Sequence, residues 1–297
     1  MGTLRWRGQQ VNGSVKFYQT MKFRRYVKNT IILSILILGS LVLLTPLWWM
    51  VSTSLKTPAE IAQHPPAFMP ESFQFSNYIE AWQTGPFTRW GLNTLFISVI
   101  VTIGSVFVNS FIAYGFAKIR FKGRNTLFVI ILATMLIPGF VTLVPQYMLF
   151  SKLGWVNTYL PLIVPAFLGS AFFIFLLRQF MLTIPKEFSE AAIMDGASHF
   201  KIWWHIMLPL TKPALITVGI FAFNGAWNDL LGPLLYLNDE NLYTLQLGLQ
   251  TFKGSVQVQW HYLMSMSVTI LLPTVFLFFI FQRFFMNGAN ISSGTKG

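Results

Sequence analysis

The chain has 297 residues, of which 54% are hydrophobic and only 10% charged. Soluble domains carry about 25% charged residues, so the composition excludes an ordinary soluble protein and predicts a protein embedded in a membrane. The net charge of +12 would suit a nucleic-acid partner, but the positions of the basic residues, described below, argue against one. The absence of cysteine excludes disulfides and thiolate chemistry.

Five long stretches lack charged residues, and a sixth is apolar except for Asp229. About 20 apolar residues suffice to cross a bilayer core of about 30 Å. A soluble helical core would instead need amphipathic helices with charged faces. We therefore predict an all-α integral membrane protein with six transmembrane helices. Their expected positions are 30–51, 92–116, 126–149, 160–180, 213–236 and 262–285.

The Lys and Arg residues predict the orientation of these helices. All but four of the 21 lie in the two terminal segments, in the second–third connection, or in and beside the fourth–fifth connection. The four others are Lys56, Arg89, Lys152 and Lys253. Because positive residues concentrate on the cytoplasmic side, both termini are predicted to be cytoplasmic. The basic charge is thus explained by topology and the lipid bilayer, and we expect no nucleic-acid partner.

The domain organisation follows from these positions. Residues 1–28 are predicted to form a cytoplasmic amino-terminal segment with a short helix of its own over 15–26. Residues 29–286 form one six-helix domain that includes a polar segment at 186–209, and residues 287–297 form a cytoplasmic tail. The outer loop from Lys56 to Arg89 is rich in proline and predicted to be irregular, with one short helix near Asn77–Gln83.

A polar stripe follows one face of the second predicted helix at steps of three or four residues. It consists of Thr94, Ser98, Thr102, Ser105, Asn109 and Ala113. Small residues in such a stripe favour close helix packing. Asn109 is the member that we expect to line a translocation pathway.

Two proline pairs, Pro138-Gly139 and Pro145-Gln146, interrupt the third predicted helix. Proline removes a backbone hydrogen bond and kinks a helix. The kink would serve either motion or packing, and the sequence leaves both open.

The fifth predicted helix carries the polar groups best suited to a solute. Asn224 and Asn228 share a face, and Asp229 is the sole acid within any predicted span. Amides beside aromatic rings suit a sugar, whose hydroxyls need hydrogen bonds and whose apolar faces stack on rings. An acid inside a membrane by default faces a polar interior. These residues would therefore line a translocation pathway or hold helices together, and for Asp229 the structural role is favoured.

The sequence offers no catalytic or cofactor site. His64, His199, His205 and His261 lie at spacings that do not suit a metal, and no serine–histidine–acid constellation is present. The chain contains no Gly-Lys dipeptide and therefore no Walker A phosphate loop. We expect it to bind no cofactor and to catalyse no reaction itself.

The polar segment at 187–209 predicts two short helices joined by a glycine turn. The first would run through Glu187 to Met194 and end at Gly196. Ser198 would cap a second helix over 200–207, which Pro209 would end.

This segment resembles the EAA motif of ABC importer permeases. The matching residues are Glu190, Ala191, Ala192, Asp195, Gly196, Ala197, Leu208 and Pro209. In that family the segment is the coupling helix, which docks into a cleft of the ATPase subunit. The alternative is an ordinary cytoplasmic helical hairpin of an unrelated membrane protein.

Local patterns beyond the motif resemble the carbohydrate uptake type-1 family, the smaller subunit of maltose-type permeases. They are 90–94, 113–117, 227–229, 232–234 and a glycine-rich tail ending in Lys296-Gly297. The resemblance implies a type I ABC importer permease fold in a bacterial or archaeal cytoplasmic membrane.

The same resemblance implies partners and a substrate. The partners would be a second homologous permease, two ATPase subunits that hold ATP and Mg²⁺, and an extracytoplasmic binding protein. The substrate would be a sugar, and more narrowly an oligosaccharide, with acidic uronides such as alginate or pectin fragments as a weaker expectation. Residues 238–261, with Trp260, would contact the binding protein or form an ordinary loop. The alternatives are an ABC importer of another solute, an ATP-independent transporter or channel, and a membrane scaffold.

Overall fold

The computed structural model is almost entirely helical. It describes the backbone of residues 11–254 and 258–291 and the side chains of 23–254 and 258–282. Residues 1–10 of the predicted amino-terminal segment and 292–297 of the predicted tail lie outside this part. The principal helices are α1 (Val11–Ser54), α2 (Pro58–Ala62), α3 (Ser76–Gln83), α4 (Phe87–Lys118), α5 (Arg124–Thr134), α6 (Gly139–Lys152), α7 (Leu160–Ile163), α8 (Ala171–Thr183), α9 (Glu187–Met194), α10 (His199–Ile202), α11 (Leu208–Leu210), α12 (Lys212–Trp227), α13 (Leu231–Tyr236), α14 (Leu245–Gly248) and α15 (Trp260–Ile291).

The described residues contain four helical segments long and apolar enough to cross a membrane, and up to six spans if each of two bent pairs counts as one. The four segments are Phe23–Ser54, Phe87–Lys118, Leu160–Thr183 and Trp260–Gln282. The bent pairs are α5 with α6, at 94°, and the helix at His199–Leu210 with α12, at 83°. The all-α membrane fold is thus confirmed.

Three predicted helices are wrong as continuous elements. The helix predicted at 160–180 consists of α7, a 3-10 turn at Val164–Phe167 and α8, with Gly169 at a left-handed φ of 93° before α8. The helix predicted at 126–149 is broken between Thr134 and Gly139, because Pro138 has no N–H to donate and disfavours helical geometry in the residue before it. The helix predicted at 213–236 ends at Trp227 and resumes at Leu231. There the ring of Pro233 would clash with the carbonyl group four residues earlier if the helix continued.

Residues 15–26 are helical as predicted, but they belong to α1 and do not form a separate helix. The backbone is helical from Val11 to Ser54 without a break, and the only proline within it is Pro46. The short helix predicted near Asn77–Gln83 is confirmed as α3. The Asn77 side chain donates hydrogen bonds to the carbonyl groups of Ser54 and Lys56, at 2.9 and 3.0 Å, and so fixes the end of α1.

The centre of the bundle is α4, which packs antiparallel to α12 and also against α8. At 32 residues, α4 is about 48 Å long at 1.5 Å per residue and connects two buried clusters. The hairpin end contains residues 187–210 and a cluster that includes Tyr114, Leu177, Met207 and Val218. The cap end contains residues 238–254 and a cluster that includes Phe87, Trp90, Trp227, Phe252 and Met266.

Loops predicted to share one side of the membrane meet in the structure. At the hairpin end, Lys118 Nζ donates to the Ile184 carbonyl at 2.6 Å. At the cap end, Arg89 donates to the Asn241 side chain at 2.8 Å. This agrees with the predicted grouping of loops, while the assignment of the hairpin end to the cytoplasm stays a prediction.

Candidate coupling surface and membrane cavity

The hairpin at 187–210 turns through a left-handed glycine. Gly196 has φ of 76°, a conformation that side chains other than glycine adopt at a cost. The Gly196 N–H donates to the Ile193 carbonyl, and the Ala197 N–H donates to the Ala192 carbonyl at 2.9 Å. Ser198 accepts a hydrogen bond from the Lys201 N–H and caps the next helix, as the sequence predicted. The turn is therefore specified by local hydrogen bonds.

The second helix of the hairpin is longer than predicted. It runs from His199 to Leu210, and its middle is a wide π turn at Trp203–Met207. The prediction that Pro209 ends this helix is wrong. Because Pro209 has no N–H to donate, it is tolerated where the regular hydrogen-bond ladder is already interrupted.

The motif residues divide into an exposed and a packed group. Glu190, Ala191, Asp195 and Gly196 are exposed. Ala192 and Ala197 are half-buried and pack against the core of the hairpin end.

Large apolar side chains beside the exposed group also face outward. They are Phe188, Ile193 and Met194, and Met194 is 87% exposed. An apolar patch rimmed by carboxylates is typical of a protein-binding surface.

The hairpin is attached to α4 through aromatic contacts. The Tyr114 hydroxyl lies 3.1 Å from His199 Nδ1. Phe111 packs edge-on against Trp203, with 5.1 Å between ring centroids. Ile202 and Met207 are completely buried in the same cluster. Displacement of the hairpin would therefore be transmitted directly to α4 and α12.

A cavity of about 300 Å³ lies between α4, α8, α12 and α13. Its lining residues are Ile97, Val101, Ser105, Leu162, Phe173, Phe221, Ala222, Gly225, Ala226, Asp229, Pro233 and Thr244. The lining combines two phenyl rings with hydroxyl groups and one carboxylate. These groups could stack on a solute and hydrogen-bond it.

Asp229 lines this cavity and also has a structural partner. It is half-buried, and its Oδ1 accepts a hydrogen bond from the Gly232 N–H at 3.1 Å. The carboxylate thereby bridges the break between α12 and α13. The predicted structural and pathway roles are compatible in this geometry.

Asn224 and Asn228 lie together on an exposed face of α12. The Asn228 amide donates to the Asn224 side chain at 2.9 Å, and its oxygen accepts from Gln246 at 3.2 Å. Neither residue belongs to the lining of the cavity described above. Their pathway role stays a prediction, which would require that the pathway extend over this exposed face.

Asn109 is used in packing. It is 1% exposed, its oxygen accepts from the Ser170 N–H, and its amide donates to the Ser105 carbonyl, each at 2.6 Å. The same holds for most of the polar stripe on α4, since Thr94, Ser98 and Ser105 are also buried. Asn109 is not among the residues that line the cavity described above, although Ser105 is, and its pathway role stays a prediction.

Sequence reasoning missed Asn157, which clamps the start of the cap end. Its φ is 62°, and its side-chain oxygen accepts hydrogen bonds from the N–H groups of Asn238 and Asp239, at 3.0 and 2.9 Å. Asparagine tolerates left-handed geometry better than most residues, and Gly154 nearby was a turn signal. The distant partner segment was not visible in the local sequence.

Trp260 begins α15 at the cap end and is 46% exposed. Its predicted contact with a binding protein is not tested by this geometry. Within the described part of the chain, no group of three His, Cys, Asp or Glu side chains could hold a metal ion.

Comparison with known proteins gives consistent matches. Residues 105–288 match the family of binding-protein-dependent transport system inner membrane components. The chain is 34% identical to the arabinooligosaccharides transport system permease protein AraQ of Bacillus subtilis, over 77% of this chain and 81% of that protein. It is 31% identical to the sn-glycerol-3-phosphate transport system permease protein UgpE of Pectobacterium atrosepticum, over 85% of this chain and 92% of that protein.

A solved structure shares the fold. One chain of a bacterial ABC transporter involved in the import of the acidic polysaccharide alginate matches with a TM-score of 0.75 and 24% identity. The match covers 94% of this chain and 100% of that chain. Since the family match spans more than half of the sequence, the chain belongs to the permease subunits of binding-protein-dependent ABC importers, multi-pass proteins of the cytoplasmic membrane.

Proposed function

We propose that this chain forms half of the translocation pathway of an ATP-driven sugar importer and receives the motion of its ATPases through the hairpin. The observation that carries the proposal is a shared buried cluster. Ile202 and Met207 of the hairpin pack in one core with Tyr114 of α4 and Val218 of α12. The same two helices line the cavity, so one packed unit joins the exposed motif to the proposed solute path.

The proposed complex contains a second homologous permease, two ATPase subunits and an extracytoplasmic binding protein. ATP and Mg²⁺ would be held by the ATPases, because this chain has no Walker A loop. ATP shifts the transporter between inward-facing and outward-facing states only if it binds one of them better. The exposed amides of Asn224 and Asn228 support a second permease, which would cover this face and complete the path.

An oligosaccharide is the proposed substrate. Phe173 and Phe221 supply rings for stacking, and Ser105, Thr244 and Asp229 supply hydrogen-bonding groups. AraQ, named for arabinooligosaccharides, supports the same class.

An acidic uronide is the second candidate, supported by the alginate importer that shares the fold. Its carboxylates would need cations from the second permease, because the lining of the cavity in this chain contributes Asp229 and no Lys or Arg. The same lining disfavours a phosphate ester, although UgpE is named for one. A non-sugar solute is therefore the weaker alternative.

The first experiment is gentle extraction from native membranes and identification of the copurifying proteins by mass spectrometry. A second permease and a Walker A ATPase are expected. The complex, reconstituted in vesicles with ATP on the hairpin side, is then supplied with its binding protein and with labelled neutral oligosaccharides or uronides. A chain that purifies alone and transports alone would overturn the proposal and move attention to Asp229 as an ion-coupling residue.

The coupling role of the hairpin is tested with Gly196→Pro. Proline requires φ near −65°, which the left-handed turn forbids, so uptake and transport-linked ATP hydrolysis should be lost. Gly123→Pro is the matched control. Gly123 also has a left-handed φ, of 83°, and open space around it, but it lies outside the hairpin. It therefore tests whether proline at a left-handed glycine abolishes uptake wherever that glycine lies. Normal uptake by the Gly196→Pro variant would refute the assignment.

A further inference from the structure

A second pocket lies at the cap end, between the ends of α1 and α15. Its volume is about 250 Å³, and α2 with the following loop closes one side. The lining residues are Trp49, Thr53, Lys56, Glu60, Ile61, Pro66, Trp260 and Met264. It shares no residue with the cavity that contains Asp229. The proposed translocation pathway therefore does not account for it.

Lys56 places a buried cation in this pocket. The residue is 2% exposed, and its ammonium group lies 4.6 Å from the centre of the Trp49 ring. An ammonium group has three N–H donors. Within the described residues, the structure gives it one hydrogen-bond acceptor, the carbonyl group of Ala67. Burial lowers the pKa of Lys56, and the negative charge of Glu60 opposes this shift.

Thr53 adds a second open hydrogen-bonding group. It is 6% exposed, and its hydroxyl has no hydrogen-bond partner among the described residues. Trp49 and Thr53 are four residues apart and share a face of α1, and Lys56 follows two residues after the helix ends at Ser54. A buried hydroxyl without a partner is costly, so a ligand that bonds it would be stabilised.

Glu60 does not supply the missing acceptor. Its Oε2 accepts from the N–H of Thr57 at 2.7 Å and from the Thr57 hydroxyl at 3.1 Å. Its Oε1 accepts from the Glu71 N–H at 2.8 Å. The carboxylate is thus engaged in fixing the loop around the pocket. The ammonium group of Lys56 and the hydroxyl of Thr53 can both donate further hydrogen bonds. A ligand rich in acceptor oxygens would therefore suit this pocket.

The position of the pocket indicates where such a ligand comes from. Trp49 and Trp260 are 37% and 46% exposed and stand at the ends of two apolar spans. Indole rings at span ends sit at the level of lipid headgroups. The apolar window of α1 is not buried anywhere along its length, so acyl chains can lie against it.

We infer that this pocket binds the phosphate group of a membrane phospholipid, with Lys56 and Thr53 as hydrogen-bond donors and Trp49 and Trp260 as its walls. The bound lipid would contact both the first and the last spanning helix, because the pocket is lined by residues of each. This inference is independent of the identity of the transported solute.

The test uses the full chain, purified with its partner subunits and delipidated. Native mass spectrometry measures binding of dioctanoyl phosphatidylglycerol and phosphatidylethanolamine to the wild type and to Lys56→Met and Thr53→Val. Loss of a hydrogen bond to a charged group should weaken binding of at least one of the lipids about tenfold or more in Lys56→Met. Lys253→Met is the matched control, because Lys253 is exposed at the same end, and its lipid affinity should be unchanged.

Thr53→Val keeps the shape of the side chain, so a weaker but measurable loss of affinity is expected even if Lys56→Met folds poorly. Inorganic phosphate and glucuronate, at the same concentrations, separate the lipid from a free anion. Equal lipid binding in wild type, Lys56→Met and Thr53→Val would overturn the proposal. Binding of inorganic phosphate or glucuronate as tight as that of the lipids would overturn it too.

Discussion

The hairpin end and the cap end of this protein are held together by contacts of different range along the sequence. In the hairpin, the turn at Gly196 and the cap at Ser198 use partners within five residues. At the cap end, Trp90 Nε1 donates to the Glu240 carbonyl across 150 positions, and the Thr94 hydroxyl accepts from Leu245 N–H across 151. The first arrangement is specified by contacts between residues close in sequence, whereas the second depends on contacts between distant segments of the packed bundle.

The two ends also differ in what they expose. The hairpin presents Met194, Glu190 and Asp195 to a partner, while Trp90, Phe87 and Phe252 of the cap end are almost completely buried. This difference implies that the hairpin serves binding of a partner and the cap end serves stability. Substitutions in the exposed part of the hairpin should affect transport more than stability, and substitutions in the cap should do the opposite.

The largest expected effect comes from a pair of tryptophans. Trp90 is 1% exposed, and its ring centroid lies 4.6 Å from that of Phe87. Trp90→Ala should therefore lower the free energy of unfolding by about 3–5 kcal/mol. Trp204 of the hairpin is 44% exposed and stacks on Phe107, so Trp204→Ala should cost less than about 1.5 kcal/mol. Melting temperatures of the solubilised complexes measure the contrast. Similar losses for both variants would show that the two ends do not differ in this way.

Substitutions at two glycines, one at each end, should change stability by a smaller amount and for different reasons. A Cβ on Gly248 would lie 2.2 Å from the Trp90 ring, although its φ of −58° suits any residue. Gly248→Ala should therefore lower the free energy of unfolding by about 1–3 kcal/mol or more, because the added methyl group overpacks the site. A Cβ on Gly196 would meet no atom within 4 Å, so Gly196→Ala should cost about 1–2 kcal/mol through its left-handed backbone alone.

A compensating substitution distinguishes the causes assigned to these two glycines. Trp90→Phe should partly rescue the stability of Gly248→Ala, because it removes the ring atoms nearest the added methyl group. It should leave Gly196→Ala unchanged. Gly115→Ala is the control, since Gly115 lies inside α4 with open space around it and should be neutral or slightly stabilising. Rescue of both variants would contradict the assigned causes.

The same difference in range explains what the sequence could predict. The hairpin turn, the Ser198 cap and the apolar spans follow from residues close together in the chain, and each was predicted. An interruption at Pro138 was predicted, but its angle of 94° was not, because proline signals a kink without fixing its angle. The break at 228–230 was not predicted. The Asn157 clamp and the pocket at Lys56 depend on segments far apart in sequence, so no local pattern indicated them.

Two threonines of the polar stripe on α4 test how much a hydrogen bond between segments far apart in sequence contributes to stability. Thr94 is 1% exposed, and its hydroxyl accepts the Leu245 N–H at 2.8 Å. Thr94→Val would leave that buried N–H without a partner and should cost about 1–3 kcal/mol. Among the described residues, the Thr102 hydroxyl donates only to the Ser98 carbonyl of its own helix. Thr102→Val should therefore change the free energy of unfolding by no more than about 0.5 kcal/mol. Equal costs would show that the stripe acts by packing alone, without the long-range bond.

The smallest expected effect is a pH dependence at Glu60, next to the cap end. The Thr57 N–H, and after it the Glu71 N–H, hold the pKa of the Glu60 carboxyl below its ordinary value of 4.5, although burial opposes them. Since the folded pKa is the lower one, the carboxylate stabilises the folded state above pH 4.5. That stabilisation is lost as the pH falls from 4.5 through the folded pKa.

Glu60→Gln removes this titration and keeps the size of the side chain. At pH 7 the variant should melt at a lower temperature than the wild type, because a neutral amide accepts these hydrogen bonds less strongly than a carboxylate. The difference between the two melting temperatures should narrow as the pH is lowered below 4.5. Glu71→Gln is the control, because the structure uses the backbone N–H of Glu71 in this contact. A gap between Glu60→Gln and wild type that stays constant with pH would show that the local charge does not stabilise this loop, which would then depend on packing as the rest of the cap end does.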